Sequence, residues 1–518
     1  MESSVTETPV DTEPGELTQR QIWIILGSLV LGTVLAALDG TIVSTALPTI
    51  AGKLGGFSSY AWVGTAYILT STIATPIIGK LGDLYGRRTV ILSAITIFLV
   101  GSLLCGLARN MGELIAFRGL QGIGGGGIQA LTFAILGDLV SPRERGRYMG
   151  MYTGVYAGSA VVGPLVGGWM IDHFAWQWIF LFNVPIAAIA FIAISATLKV
   201  TFRRRAVRID GLGAVLLSAS LGSLVVGLDR GRHGWFRGPV MLLFGLSIVA
   251  MIVFLTHEAR AAEPIIPMRL FQNRVFAIAS AMGFCVGSLT YGAQQFLPIQ
   301  FQDANFVSPT TAGLYLTPLM AGVMLGSTFG GRLIAQTGRY KRVPITGLAL
   351  TVSGIAVLSR MSSSWSFLTL VLPMLGIGIG TGATFTTTSI AMQNAIDPLD
   401  IGTGTAAMLS IRSLGGSLGL AVFGTLFNAR VAHGLVHHIA IADLPTGVTL
   451  NTIVREPAKL RALAEPVRSG VVQAITSGTG RVFLFAVPVA LTAFILANLI
   501  PELPLRTTRG LTAVAPSE

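Results

Sequence analysis

Residues 79–88 read Gly79-Lys80-Leu81-Gly82-Asp83-Leu84-Tyr85-Gly86-Arg87-Arg88. A weaker copy, Gly331-Arg332-Leu333-Ile334-Ala335-Gln336-Thr337-Gly338-Arg339, returns 252 positions later. A second pair, Gly122-Ile123-Gly124-Gly125-Gly126 and Gly376-Ile377-Gly378-Ile379-Gly380, is separated by 254 positions. Two motifs at nearly one offset imply a duplicated half. Both copies of the first motif follow long apolar stretches, and both glycine runs lie inside such stretches. The fold therefore turns on what the apolar stretches are.

A soluble chain of 518 residues would hold roughly three or four domains of about 150 residues each. Here 52% of residues are hydrophobic and 11% charged, where globular chains carry about 25% charged. Mean hydropathy is +0.72. So little charge cannot cover a water-facing surface, which makes the chain an integral membrane protein. A cytosolic enzyme, a secreted domain and a disordered chain are excluded. Roughly 20 residues at about 1.5 Å each cross a bilayer core of about 30 Å. Apolar runs of that size occur at 22–48, 60–80, 89–108, 113–138, 148–171, 178–197, 211–229, 239–257, 275–298, 310–333, 343–360, 366–390, 402–427 and 481–500. Backbone polar groups in lipid need partners within their own segment, so these fourteen runs are read as helices.

The repeat fits this map if spans 1–6 form one half and spans 9–14 the other, with spans 7 and 8 as an inserted hairpin. Parallel halves with a binding site between them are a known transporter plan. The expected architecture is all-α. It has an acidic tail (1–21), a six-helix bundle (22–200), a basic linker with the inserted pair (201–260), a second bundle (261–500) and a short tail (501–518). An external loop at 428–480 interrupts the second bundle and is read as a gate or cap at most. Cys105 and Cys285 both fall inside apolar runs and read as small hydrophobic filler. The first 19 residues carry five acids and no base, the wrong sign for a cleaved secretory leader.

Lys and Arg set the orientation. With the N-terminus inside, 21 of the 35 bases fall in cytoplasmic segments and 12 in external ones, six of these in or beside the long external loop. Both termini are then cytoplasmic. The net charge of +12 becomes a topology signal and gives no support to nucleic-acid binding. Two bases are left over, Arg118 and Arg412, both within spans. Among the acids, Asp39 alone lies well inside a span.

These residues carry the chemistry. A mid-membrane carboxylate costs at least about 2.5–3.5 kcal/mol, and desolvation disfavours its charged form. Asp39 is therefore the candidate proton carrier, the alternative being an acid that bonds neighbouring helix groups and holds two helices together; Arg118, a buried guanidinium in need of a partner, is the candidate that couples to it, the alternative being a brace on backbone carbonyls of the fourth helix. Gly79, Asp83, Gly86, Arg87, Arg88, Asp138 and Arg143 form a candidate cytoplasmic latch, closed in one conformation and broken in the other; the alternative is an anchor that sets topology. The second copy has Ala335 in place of Asp83. Gly158, Gly163, Pro164, Gly167 and Gly168 read as a close-packed, bent helix. Trp62, Tyr67, Gln121, Tyr291, Gln294 and Arg412 are candidate cavity residues; Arg412 either binds helix carbonyls, meets an anionic substrate group or reaches Asp39. No phosphate loop of the Gly-x-x-x-x-Gly-Lys-Ser/Thr type is present, so ATP drive is not expected. No Cys/His cluster suits zinc.

Leu38–Pro48, Gly79–Arg88, Arg118 with Gln121-Gly122, Gly158–Gly168 and Trp176–Pro185 together resemble the major facilitator superfamily, specifically its fourteen-span drug:proton antiporter group (EmrB/QacA type). The resemblance covers nearly the whole chain. It implies a monomer of two six-helix bundles plus an extra pair in the cytoplasmic membrane. It implies export of lipophilic drugs or toxic compounds by alternating access, driven by the proton gradient without a bound cofactor. The Arg118 region corresponds to the motif implicated in proton transfer, and Gly158–Gly168 to the motif of exporters. Some relatives carry further membrane acids in later spans; their absence here favours neutral or singly charged lipophilic substrates. The alternative is an exporter of an endogenous lipid, siderophore or metabolite on the same fold.

Overall fold

The computed structural model describes residues 18–54, 61–198, 210–231, 235, 237–261, 264–438, 465 and 467–506. Most of the acidic tail, the basic linker, the long loop after residue 438 and the C-terminal end lie outside the described residues. So do the roles expected for them.

The described residues form helices and no strands. In order they are α1 (Gln19–Leu54), α2 (Ala61–Tyr85), α3 (Arg87–Gly106), α4 (Met111–Leu139), α5 (Pro142–His173), the short α6 (Trp178–Leu181) and α7 (Asn183–Thr197). The pair α8 (Gly211–Gly231) and α9 (Gly238–Glu258) follows, then the short α10 (Arg269–Gln272) and α11 (Arg274–Ile299). The series ends with α12 (Pro309–Tyr315), α13 (Thr317–Thr337), α14 (Arg342–Leu358), α15 (Phe367–Ala395), α16 (Ile401–His438) and α17 (Val467–Leu499). Among the described residues, eleven helices are long and apolar enough to cross a membrane. The expected spans near 60–80 and 113–138 coincide with α2 and α4, which are long but fall outside that set. They are rich in Gly, Ser and Thr, and α4 carries Arg118. Helix α14 is apolar but shorter. The outer surface is studded with large apolar side chains, among them Leu242, Leu368 and Leu372, each at least 75% exposed. Lipid contact accounts for such a surface; water does not.

The duplication seen in the sequence is also a duplication of packing. In each half, a glycine-rich helix lies wedged between two others. A Cβ built on Gly124 of α4 would come within 2.5 Å of the Phe98 backbone nitrogen on α3, and one on Gly126 would strike the Ser71 carbonyl on α2. In the second half, Gly378 of α15 meets Leu319 and Gly322 of α13, and Gly380 meets Gly347 of α14. Without side chains these backbones touch, which is how dispersion holds helices together where lipid removes the hydrophobic drive. The loop motif repeats too. Gly86 (φ 92°) and Gly338 (φ 68°) each take a positive φ immediately before Arg87 and Arg339, a conformation glycine adopts without cost.

The two halves meet where α5 packs on α13 and α2 packs on α16. Helix α5 also packs on α1. The α8–α9 pair leans through α8 on both α2 and α16, where Leu217 and Leu221 bury against Ile73, Ile77 and Leu414.

Overpacking a close helix contact costs about 1–3 kcal/mol. Gly124→Ala is therefore expected to lower the thermal midpoint in detergent clearly. Gly64→Ala, with nothing within 4 Å of its added methyl, should leave it unchanged or raise it slightly. Equal midpoints for both variants would contradict the wedge.

Candidate functional site

Three arrangements combine the sequence candidates. The first is a charge cluster sealed inside the first half. Asp39 of α1 is 1% exposed and Arg118 of α4 is 2% exposed. Their Nη1–Oδ2 distance is 2.6 Å. Gln121 donates to the other carboxylate oxygen at 2.9 Å, and Asn183 of α7 donates to that same oxygen at 2.7 Å. Gln121 also donates to Ser102 of α3 (2.6 Å) and accepts from Arg118 (2.6 Å). The Tyr67 ring lies under the Arg118 guanidinium, 4.3 Å from its carbon. Both carboxylate oxygens of Asp39 are thus held by donors, and the guanidinium is capped by a ring. A buried charge tolerates this setting only while all its partners stay in place.

Tyr67 and Gln121, expected in the substrate cavity, stand in this cluster instead. Helices α2 and α4 turn those faces into the interior of the first half, where the buried pair needs ring and amide. Ser102 and Asn183 join the cluster without having been singled out. Asn183 falls in the Trp176–Pro185 run, but an asparagine near a span end gives no signal of facing an acid 144 residues away.

The second arrangement is a clasp across the two halves, on the face that carries Asp83 and Arg87. Arg87 pairs with Asp83 (2.5 Å) and with Asp138 (2.8 Å). Asp83 reaches across to α16, accepting from the Thr403 backbone N–H (2.8 Å) and hydroxyl (2.6 Å). The first turn of a helix presents free N–H groups and a positive dipole end, so a carboxylate there is well placed. Arg143 makes the reciprocal crossing, from the start of α5 to the Ala335 carbonyl of α13 (3.1 Å). Where the second copy lacks an acid, its main chain accepts instead. Beside these contacts, Gly146 and Gly331 meet backbone to backbone, and Gly79 lies against Ala406. Arg145, fully buried, donates to Gln393 of α15 (2.9 Å), to the Val140 carbonyl (2.8 Å) and to the Gly137 carbonyl. Its sequence neighbours are equally basic, so nothing marked it as the buried one. Arg88 is not part of the clasp. It points outward along the first half and bonds the Ser195 carbonyl of α7, because α3 turns consecutive residues through about 100°.

The third is a cavity of about 220 Å³ between the halves. The first half lines it with Ala37, Thr41, Gln129, Phe133 and Tyr156; the second contributes Tyr291, Gln294, Phe385, Leu409 and Arg412. Of the expected cavity residues, Tyr291, Gln294 and Arg412 are in its wall. Trp62 is not. Asp39 does not line the cavity, but Ala37 and Thr41, on the far side of the same helix, do. Thr41 donates to the Ser159 carbonyl of α5 (3.0 Å). Gly163 and Gly167 lie against Thr41 and Ile42. Gly158 and Gly168 face open space. Pro164 sits in the same continuous helix. The glycine motif therefore seats α5 on the segment of α1 that carries Asp39. Among the described residues no cluster of His, Cys, Asp and Glu has a metal-binding arrangement.

Residues 29–420 match the model of the Major Facilitator Superfamily. The chain is similar to the multidrug transporter protein MdtP of Bacillus subtilis, with 35% identity covering 79% of this chain and 75% of that one. It is also similar to multidrug resistance protein 3 of Bacillus subtilis, with 33% identity covering 91% of this chain and 93% of that one. Among solved structures, the human organic anion transporter MFSD10 (TETRAN) superimposes with a TM-score of 0.60 over 90% of this chain and 99% of that one. At 16% identity this likeness concerns the fold alone.

Two outcomes test this geometry. Removing one partner of a buried pair strands the other charge at a cost of about 3–5 kcal/mol. Asp39→Ala and Asp39→Asn, which both strand Arg118, should therefore both lower the thermal midpoint, Asp39→Ala more, because the amide keeps one acceptor and leaves no void. The reverse order would refute the sealed cluster. For the clasp, spin labels at the exposed positions Tyr85 and Leu399 report the separation of the halves. Hydrogen bonds to a charged group contribute about 1.5–3 kcal/mol, so Asp83→Ala should raise the separated population about tenfold. An unchanged distance distribution would count against it.

Proposed function

The chain belongs to the major facilitator superfamily, and from that premise we propose that it exports lipophilic compounds across the cytoplasmic membrane in exchange for protons. It is a multi-pass membrane transporter and not an enzyme. Multidrug transport and multidrug resistance are what the names of its relatives MdtP and multidrug resistance protein 3 state, and the efflux pumps FUS6 of Gibberella fujikuroi and LUC4 of Fusarium sp are 34% and 31% identical to it. The observation that carries the proton coupling is the position of Asp39. It is sealed against Arg118 on one side of α1, while Ala37 and Thr41 on the other side of that helix wall the cavity.

The mechanism follows from that placement. Ionised Asp39 holds Arg118, Gln121 and Asn183 together and fixes the rotation of α1. Protonation cancels the charge that orients these three donors, and the network must rearrange. Helix α1 carries the change to the cavity wall through Thr41 and to α5 through the Thr41–Ser159 bond. Helix α5 in turn bears on α13, and the Asp83–Thr403 and Arg143–Ala335 bonds break or form as the halves rock. Protonation from outside releases substrate outward; loss of the proton to the cytoplasm resets the carrier.

In this reading all fourteen long helical segments span the bilayer. They form two six-helix bundles and the α8–α9 pair, with both termini cytoplasmic, as in the drug:proton antiporter group. One chain supplies both walls of the cavity, so the monomer is the working unit, and the proton gradient replaces any cofactor.

Purified protein in liposomes with an imposed pH gradient, followed with a lipophilic fluorescent dye, tests the proposal. Wild type should move dye in response to the gradient. Asp39→Asn should insert normally and lose at least 90% of gradient-dependent transport. Normal gradient-driven transport by Asp39→Asn would overturn the assignment.

A further inference from the structure

Among the described residues, no carboxylate lines the cavity between the halves. Its lining residues are apolar or neutral and polar, with one exception, Arg412 of α16. That guanidinium has no ion pair and no side-chain hydrogen-bond partner among the described residues. It rests over the Phe385 ring, 4.1 Å from the centroid, with Tyr156 and Tyr291 as its polar neighbours. The phenol of Tyr156 is already engaged by Gln129 (3.0 Å).

Three earlier expectations for Arg412 separate here. It does not meet Asp39, whose two oxygens are held by Arg118, Gln121 and Asn183. It makes no bond to a helix carbonyl. What remains is a permanently charged group with five fork-like donors facing a space walled by Phe133, Met320, Val323, Phe385 and Leu409. Arg412 is half-buried, and a cation facing a narrow, apolar-walled space gains from a counter-charge. Arg118 and Arg87 have theirs within the protein; Arg412 does not. The Phe385 ring covers one side of the guanidinium, and the residue also lines the cavity. A planar oxyanion such as a carboxylate or sulfonate accepts two parallel bonds from a guanidinium edge.

We propose that this cavity selects lipophilic organic anions, with Arg412 binding the anionic head and the aromatic and aliphatic walls the apolar body. The inference rests on the export reading above and names its substrate class. It also fits the energetics: a membrane potential negative inside drives an anion outward and a proton inward alike, so both halves of the exchange run downhill.

The test measures binding without any gradient, so that its failure and a failure of proton coupling can be told apart. Three probes share one ring system: naphthalene-2-sulfonate, the neutral 2-naphthalenemethanol, and a naphthylmethyl-trimethylammonium ion. Each is titrated calorimetrically into full-length protein in nanodiscs of zwitterionic lipid. Wild type should bind the sulfonate at least tenfold more tightly than either other probe. Arg412→Gln should lose that preference while keeping its affinity for the neutral probe, which reports an intact cavity. Arg412→Lys, which keeps the charge and loses the fork, should fall between them. A wild type with no preference for the sulfonate, or an Arg412→Gln variant that keeps it, overturns the proposal.

Discussion

One buried ion pair organises this molecule. Asp39 and Arg118 come from helices far apart in sequence and sit where no water can solvate them. Each satisfies a charge that would otherwise be prohibitive. The cost of separating them fixes four helices in one arrangement, since α1, α4, the Ser102 face of α3 and the start of α7 all contribute to the same network. One fully connected network is tolerable in a low-dielectric interior, whereas several partly connected ones are not.

Outward from that pair, each level of structure depends on close backbone approach. Glycine brings α4 against α2 and α3, α15 against α13 and α14, and α5 against α1. Tight seating allows a small change at Asp39 to reach the cavity and the clasp, because packed helices shift as bodies and do not deform continuously. The clasp uses a different principle. Its bonds cross between halves at helix ends, where free N–H and carbonyl groups are available, and they can break without exposing an unpaired charge to lipid.

The sequence made the class, the duplication and the charge pair legible because each rests on a single strong constraint. Charge is scarce, two motifs recur at one offset, and Asp39 and Arg118 are the deep ions of the first half. It was weaker wherever the side of a helix decides the outcome. Tyr67 and Gln121 were expected beside the cavity, and they face the ion pair. Arg145 went unremarked among equally basic neighbours, although it is the one fully buried. Arg88 looked like part of the clasp, but one residue step along α3 turns it away. Asn183 and Thr403 act through pairings over 144 and 320 residues, for which a single sequence holds no record. The spans expected at 60–80 and 113–138 are long helices that fall outside the eleven apolar ones, as does the shorter α14. Helices α2 and α4 are the ones made less apolar by the glycines, hydroxyls and charge that the packing and the ion pair require.

The Gly146–Gly331 contact has a consequence of another kind. It lies where the two halves come together, and neither residue has a side chain to trim. An enlargement on one side therefore cannot be offset by a reduction on the other. Such positions cannot drift in tandem; they can only stay fixed. Methods that infer proximity from correlated substitution would register no signal at this point. The close meeting of the halves would be invisible to comparative genetics and evident only in three dimensions.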